Sequence, residues 1–194
     1  MRWLLAIGFV LFATAAALCM GPAKVELSKQ REEYICIKIG EAIENRVEEV
    51  FEGNKWTERG HEMEAEAFAA FALATDAEPW TVGFVYRDES RRTGFSPDFM
   101  LDGAHGELKC PMRKTHIRYL RAGTLPAQYV PQLQFGLWCT GYPLAWFMSY
   151  YPGFRSLILR VEPDPRWQDA LDVHVPAFLA EMDAAIEQLT GEAI

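Results

Sequence analysis

The stretch Ser96-Pro97-Asp98-Phe99-Met100-Leu101-Asp102-Gly103-Ala104-His105-Gly106-Glu107-Leu108-Lys109 decides the fold of this chain. Alternation along a strand puts Glu107 and Lys109 on one face, with Leu108 pointing the other way into a core. Asp102-Gly103 and Gly106 supply a turn signal, so the spacing predicts a hairpin of two adjacent strands. Such a hairpin would bring the carboxylates of Asp98 and Glu107 together beside the Lys109 ammonium. Two hard oxygen ligands suit Mg²⁺, and a lysine next to them can position or deprotonate an attacking water. That is the chemistry of phosphodiester hydrolysis. Glu-x-Lys alone describes any amphipathic strand with a surface ion pair; the Ser-Pro-Asp partner separates the two readings.

Half of the 194 residues are hydrophobic and no repeat or low-complexity tract interrupts them, which suits one globular domain with a substantial core. Cys19, Cys36, Cys110 and Cys139 are widely spaced and form no Cys-x-x-Cys pair, the pattern of reduced thiols in a cytosolic protein. The net charge of −8 is unpromising for contact with a polyanion, but its distribution is uneven. From Arg87 to Arg121 there are eight Lys/Arg against five acids, whereas Glu162 to Glu192 holds eight acids against Arg166 alone. An acidic outer face with a basic active-site side would thread DNA through one place. Without the triad, Arg113 to Arg121 reads as an ordinary solvated loop or helix.

Trp3 to Cys19 is a seventeen-residue run without a charge, preceded by Arg2 and carrying Ala15-Ala16-Ala17 near its end. It has the pattern of a secretory signal and is short for a membrane span. It also reads as a buried helix of the domain, or as upstream coding sequence read from a misplaced start. Residues 1–27 are therefore set apart from a single domain over 28–194.

Further along, a helix is expected from near Ser28 through Phe51, and a second from Trp56 to about Ala74. On the second, Glu64 shares a stripe with Phe68 and Phe71, while Glu62 and Glu66 lean toward solvent. An acid heading an apolar stripe is costly to bury unless a cation meets it, which points Glu64 toward the metal site; the alternative is a helix-end glutamate reaching past Phe68 to water. Strands are expected at about Thr81 to Arg87, Thr93 to Leu101 and His105 to Cys110. Pro126 to Cys139 reads as a helix interrupted early by Pro131, Leu144 to Tyr151 and Ser156 to Val161 as strands. Asp164 or Pro165 opens a final helical region that Pro176 resets into an amphipathic helix to about Thr190. The expected class is α/β, a central mixed sheet flanked by helices.

The run Val85-Tyr86-Arg87-Asp88-Glu89-Ser90-Arg91-Arg92-Thr93-Gly94-Phe95-Ser96-Pro97-Asp98, then Gly106-Glu107-Leu108-Lys109-Cys110-Pro111, resembles the lambda-exonuclease (YqaJ-type) phage recombination nucleases. These belong to the PD-(D/E)xK superfamily, with its restriction-endonuclease-like core. Tyr129-x-x-Gln132-x-Gln134 followed by Leu137-Trp138 resembles the family's Tyr-x-x-Gln-x-Gln helix, and Trp56-x-x-x-Gly60-x-x-x-Glu64 its glutamate-bearing helix. The likeness spans roughly residues 54 to 190 with the motifs in family order. It implies an Mg²⁺-dependent exonuclease, with Mn²⁺ able to substitute, that degrades one strand of double-stranded DNA from its 5′ end. It also implies a ring-shaped homotrimer and a single-strand annealing protein as partner, with no stable membrane partner. Such an enzyme works on replicating DNA, so the expected location is cytoplasmic, with export the alternative if residues 1–17 act as a signal.

By the same resemblance, Asp98 and Glu107 are metal ligands helped by the backbone carbonyl of Leu108, and Glu64 holds the metal through water or a second ion. Lys109 orients or activates the attacking water, and Gln132 and Tyr129 support the site or touch the scissile backbone. Asp88 matches another acidic family position, or makes a surface salt bridge. Ser96, by hydroxyl or backbone N–H, and Arg113 are candidates for holding a terminal 5′ phosphate; His116 contacts phosphate or is simply exposed. Two positions depart from the family: Phe99 stands where glycine is usual, and the N-terminal phosphate arginine is not identifiable. Rival readings are an endonuclease or single-strand-preferring nuclease of the same superfamily, a catalytically silent DNA-binding subunit, and an exported protein.

Overall fold

The computed structural model describes residues 29–46 and 55–191. Helix α1 (Lys29–Glu44) is followed by α2 (Lys55–Thr75). Two short strands, β1 (Val85–Tyr86) and β2 (Gly94–Phe95), pair antiparallel ahead of the main sheet, which opens with β3 (Phe99–Leu101) and β4 (Ala104–Lys109). Then come α3 (Arg113–Ala122), a 3₁₀ turn at Ala127–Tyr129, α4 (Val130–Thr140), β5 (Leu144–Ser149), β6 (Leu157–Val161) and α5 (Pro165–Thr190). The main sheet has the order β3-β4-β5-β6, with β4 and β5 parallel and the outer pairs antiparallel.

The expected hairpin is there. Leu101 faces Ala104 across Asp102-Gly103, and Gly103 has φ +69°, the left-handed conformation that a two-residue connection requires. Alternation then divides the sheet. Leu108 and Met148 face one side, where they pack with Phe99 against Ala67 and Phe71 of α2. Ala145 and Phe147 face the other, against Leu133 and Leu137 of α4. A third cluster joins Tyr34 and Ile35 of α1 with Phe135 and Trp138 of α4 and the inner stripe of α5.

Phe99 does not crowd the polar face. It is fully buried on the α2 side, its ring centroid 4.4 Å from that of Phe71, and it lies directly opposite Gly106. A Cβ on Gly106 would sit 1.9 Å from the Phe99 ring, so the glycine on β4 is what makes room for the phenylalanine on β3.

Several expected boundaries move. The region Thr81 to Arg87 keeps only the two residues of β1 as strand, and Thr93 to Leu101 is broken by Ser96-Pro97-Asp98 into β2 and β3. Asp98 thus lies just ahead of β3, its amide donating to the Gly106 carbonyl at 3.1 Å. Pro131 sits in the first turn of α4, where its missing N–H has no intrahelical partner to lose, so it starts the helix and does not interrupt it. Arg113 to Ala122 is a true helix. Pro176 does not divide α5: Leu171, Val175, Phe178, Met182 and Ile186 form one buried stripe across it, and that packing holds both halves in line. The first helix ends at Glu44; its expected extension to Phe51 and the apolar run Trp3 to Cys19 lie mostly or wholly outside the described residues. Among the described residues no helix is long and apolar enough to cross a membrane.

The basic and acidic segments are not segregated as the charge pattern suggests; they bind each other. Arg92 meets Asp183 of α5 with two bonds of 2.7 and 2.5 Å, and Arg31 of α1 meets Glu181 at 3.2 and 2.5 Å. Arg87 lies over the Trp138 ring, 3.6 Å from its centroid, donates to the Trp138 carbonyl and reaches Asp172, which also accepts from the Trp138 indole at 2.7 Å. Much of the upstream positive charge therefore clamps α5 onto the domain.

Candidate active site

Strand β4 turns Glu107 and Lys109 to the face opposite Leu108, and the chain just before β3 delivers Asp98 beside them. Asp98 accepts a 2.6 Å hydrogen bond from the Leu108 amide through one carboxylate oxygen. Lys109 donates to Glu107 Oε1, and Gln132 of α4 also hydrogen-bonds the Glu107 side chain. Glu64 of α2 is close enough to act electrostatically on all three charged partners, Asp98, Glu107 and Lys109. The Lys109 ammonium lies 5.5 Å from the centroid of the Tyr129 ring, which stacks on Phe147 and reaches Tyr119, the two hydroxyls 3.5 Å apart. Glu64, Asp98, Glu107, Lys109, Tyr129 and Gln132 thus meet in one place.

The electrostatics are those of a site short of positive charge. Burial, reinforced by the Glu107 carboxylate, pushes Asp98 up to about 7. Burial also raises Glu107, against the opposing pull of Lys109. For Lys109, burial works to lower the ammonium, but Glu107, Asp98 and Glu64 more than reverse this and the net shift is upward. Lys109 therefore stays charged and the shared proton resides on the carboxylates. Only when that proton leaves would the carboxylates outnumber the ammonium by two charges, which a divalent cation could balance. Among the described residues no three His, Cys, Asp or Glu side chains enclose such an ion unaided. Mg²⁺ tolerates that, since it keeps several waters and takes one or two carboxylates.

Some expected residues serve other ends. Ser96 spends its hydroxyl on the Gly83 carbonyl at 2.7 Å, which leaves its backbone N–H as the group to offer a phosphate. Arg113 is exposed at the start of α3. Among the described residues Asp88 makes neither a salt bridge nor a site contact: it caps a local turn, accepting from the Ser90 amide at 2.9 Å and from the Ser90 hydroxyl, which lowers its pKa. His116 is not exposed. It is fully buried, with Nδ1 2.8 Å from Ser149 Oγ and Nε2 3.1 Å from the Arg155 carbonyl. Glu66 is exposed but accepts from the Tyr150 hydroxyl at 2.5 Å. Gln134 is buried and holds the start of α5, donating to the Glu162 carbonyl and accepting from the Asp164 amide.

His105 was not singled out by its sequence. It shares the Glu107 face of β4, is 2 % exposed, and burial holds it neutral, down to about 4. It bonds the backbone of Leu133, next to Gln132, and a Cβ on Gly136 would stand 2.5 Å from its ring. This close approach of β4 to α4 sets the distance across which Gln132 meets Glu107. A signal existed in His105, Glu107 and Lys109 alternating on one strand, but nothing in the sequence pairs His105 with a glycine thirty-one residues on.

A mixed four-stranded sheet between helices, with Asp98 and Glu107-x-Lys109 converging on one face, defines a nuclease of the PD-(D/E)xK class. The model of the YqaJ-like viral recombinase domain matches residues 6–143, and the chain belongs to that family. No curated protein matches the chain. Among solved structures it is similar to the alkaline exonuclease LHK-Exo from Laribacter hongkongensis, at 27% identity and a TM-score of 0.78, over 96% of this chain and 92% of that one. LHK-Exo in complex with dAMP matches at 28% identity and a TM-score of 0.75, over 92% and 89%. A phage-related exonuclease from Haemophilus somnus 129PT, at 15% identity and a TM-score of 0.67 over 92% and 95%, shares the fold. The chain is a DNA-hydrolysing enzyme, a phage-type recombination nuclease.

Proposed function

We propose that this enzyme is a divalent-metal-dependent exonuclease that degrades one strand of duplex DNA from its 5′ end. Nucleases of this family generally use divalent ions; here Mg²⁺ is the proposed ion, with Mn²⁺ able to substitute. The observation that carries the reading is the convergence of half-buried Glu64 and Asp98 with buried Glu107 around the Lys109 ammonium, with Asp98 pushed to about 7. Asp98, Glu107 and the Leu108 carbonyl would hold the ion, and Glu64 would act through water. When bound, the ion supplies positive charge at the scissile phosphate.

The chain's own groups do the rest. Lys109, kept protonated by its neighbours, orients the attacking water and stabilises charge developing on the phosphate oxygens, in preference to acting as a base. Gln132 keeps Glu107 in position, and Tyr129 bounds the ammonium with its ring face. The Ser96 backbone N–H and Arg113 are proposed to hold the terminal 5′ phosphate by charge-assisted hydrogen bonds. The complex of LHK-Exo with dAMP, a deoxynucleoside monophosphate, is consistent with stepwise release of mononucleotides. The family match begins at residue 6, inside the apolar run Trp3 to Cys19, which favours that run as part of the domain and a cytoplasmic enzyme. A ring-shaped homotrimer and a single-strand annealing partner complete the proposal.

Linear and nicked-free circular duplexes of one sequence, incubated with Mg²⁺ or with chelator, test it. The expected result is loss of the linear form alone, in Mg²⁺ alone, and faster from 5′-phosphoryl than from 5′-hydroxyl ends. Cleavage of the circle would make the enzyme an endonuclease. Light scattering that showed only monomer over a wide concentration range would remove the ring.

A further inference from the structure

Helix α3 carries the sequence Arg-Lys-Thr-His-Ile-Arg-Tyr-Leu-Arg-Ala and has two unlike faces. His116 and Tyr119 are buried, whereas Arg113, Lys114, Ile117, Arg118 and Arg121 are exposed and border an open cleft of about 570 Å³. The helix contains no acid, and among the described residues no acid pairs with any of its four cations. Arg31, Arg87, Arg92 and Arg166, in contrast, are each held by a carboxylate.

An isolated helix would not favour this arrangement. Like charges at i and i+4 or i+3, as in Lys114–Arg118 and Arg118–Arg121, repel by a few tenths of a kcal/mol per pair. Arg113 and Lys114 also occupy the first turn, where the helix dipole disfavours cations, and Met112 offers no side-chain cap. A polyanion lying along the outer face would reverse every one of these terms.

We propose that the outer face of α3 is the surface that grips the phosphodiester backbone of the duplex beyond the scissile bond. The proposal rests on the nuclease reading of the neighbouring site and adds to it a docking surface, with Arg118 and Arg121 as its outer contacts. The placement supports this. The helix begins four residues after Lys109, and His116 anchors it to Ser149, the β5 residue in register with Lys109. Tyr119 ties its inner face to Tyr129 beside the Lys109 ammonium. The cationic row therefore stands about one helix diameter, roughly 10 Å, from the groups around the site. From Arg113 to Arg121 it runs about 12 Å along the axis, and duplex DNA presents a charge about every 1.7 Å of its length. Several phosphates are thus available to four cations.

The test uses the full chain and the double variant Arg118→Gln/Arg121→Gln. Binding of a labelled linear duplex is measured in chelator across a range of salt concentrations, so that no hydrolysis is required; turnover in Mg²⁺ is followed separately. The variant is expected to bind more weakly and to lose about 0.9 from the salt slope per cation removed, near 1.8 in all. The loss of kcat/KM is carried by KM, and Arg118→Lys/Arg121→Lys restores the slope. An unchanged affinity and slope in the glutamine variant would overturn the proposal and leave the face to some acidic protein. Absence of hydrolysis by the wild type, with the binding difference intact, would instead strike the reading of the catalytic site.

Discussion

The two faces of β4 differ as much as any two regions of the molecule, although they alternate along six residues. On one, Ala104, Gly106 and Leu108 lie dry against β3 and α2, and Gly106 is pared to nothing so that the Phe99 ring can lie on it. On the other, His105 and Glu107 are as deeply buried and Lys109 half-buried, yet each is polar and held by a partner on α4 or on the strand itself. The first face stabilises the fold. The second costs stability, because ionisable groups are taken from water without enough opposite charge to balance them. Folding energy from the apolar side keeps an unfavourable cluster in place on the other, and a divalent cation would relieve it.

Breaking the polar face should have the largest effect. Asp98→Ala or Glu107→Ala is expected to abolish turnover while the circular dichroism spectrum stays unchanged, since each removal also relieves carboxylate repulsion. Activity surviving in both would separate the cluster from catalysis. Lys109→Ala should follow, with Mg²⁺ affinity kept and a single-turnover rate lower by roughly 10²- to 10³-fold, the scale of one lost donor to developing charge. Lost metal affinity with an unchanged rate at saturation would make Lys109 structural.

Breaking the apolar face should act on stability alone. Leu108→Ala removes a buried side chain from the α2 core and is expected to cost about 2–5 kcal/mol in chemical denaturation. At temperatures where the variant remains folded, its kcat should stay close to wild type, because Leu108 offers the site only its backbone. A variant of full stability and no activity would reverse the contrast drawn between the faces.

A further effect is one of pH. Asp98 titrates near 7 in the folded protein, up from an ordinary aspartate value of 3.8. Between those values the folded state binds the extra proton and the unfolded state does not, so metal-free stability should fall as pH rises from about 4 to about 7 and then level off. Asp98→Asn should flatten that decline in melting curves taken in chelator. An identical pH profile in the variant would remove Asp98 as its source.

The polar face was the more legible of the two in the sequence. Asp102-Gly103 marks its turn, and the spacing of Asp98, Glu107 and Lys109 around it needs only strand alternation to bring them together. Glu64 was readable for a related reason, an acid on an apolar helical stripe. Less could be seen where the partner is distant in sequence. The fit of Phe99 to Gly106 and of His105 to Gly136 depends on which strands and helices stack, not on any local period. Helix α3 has only two buried side chains in ten residues, so it shows no apolar stripe, and His116 looks solvated until Ser149 and Arg155 come to meet it. Pro176 misleads for the opposite reason, because a local break is outweighed by a stripe that packs on both sides of it.

The most direct measurement is a metal titration of chelator-stripped wild-type protein, with hydrolysis of a 5′-phosphorylated linear duplex and the melting temperature recorded together. The expected result is no hydrolysis without metal, a saturable onset with Mg²⁺, and a rise in melting temperature over the same concentrations that Asp98→Ala does not show. Hydrolysis that persists in chelator, or an equal rise in melting temperature in Asp98→Ala, would contradict it.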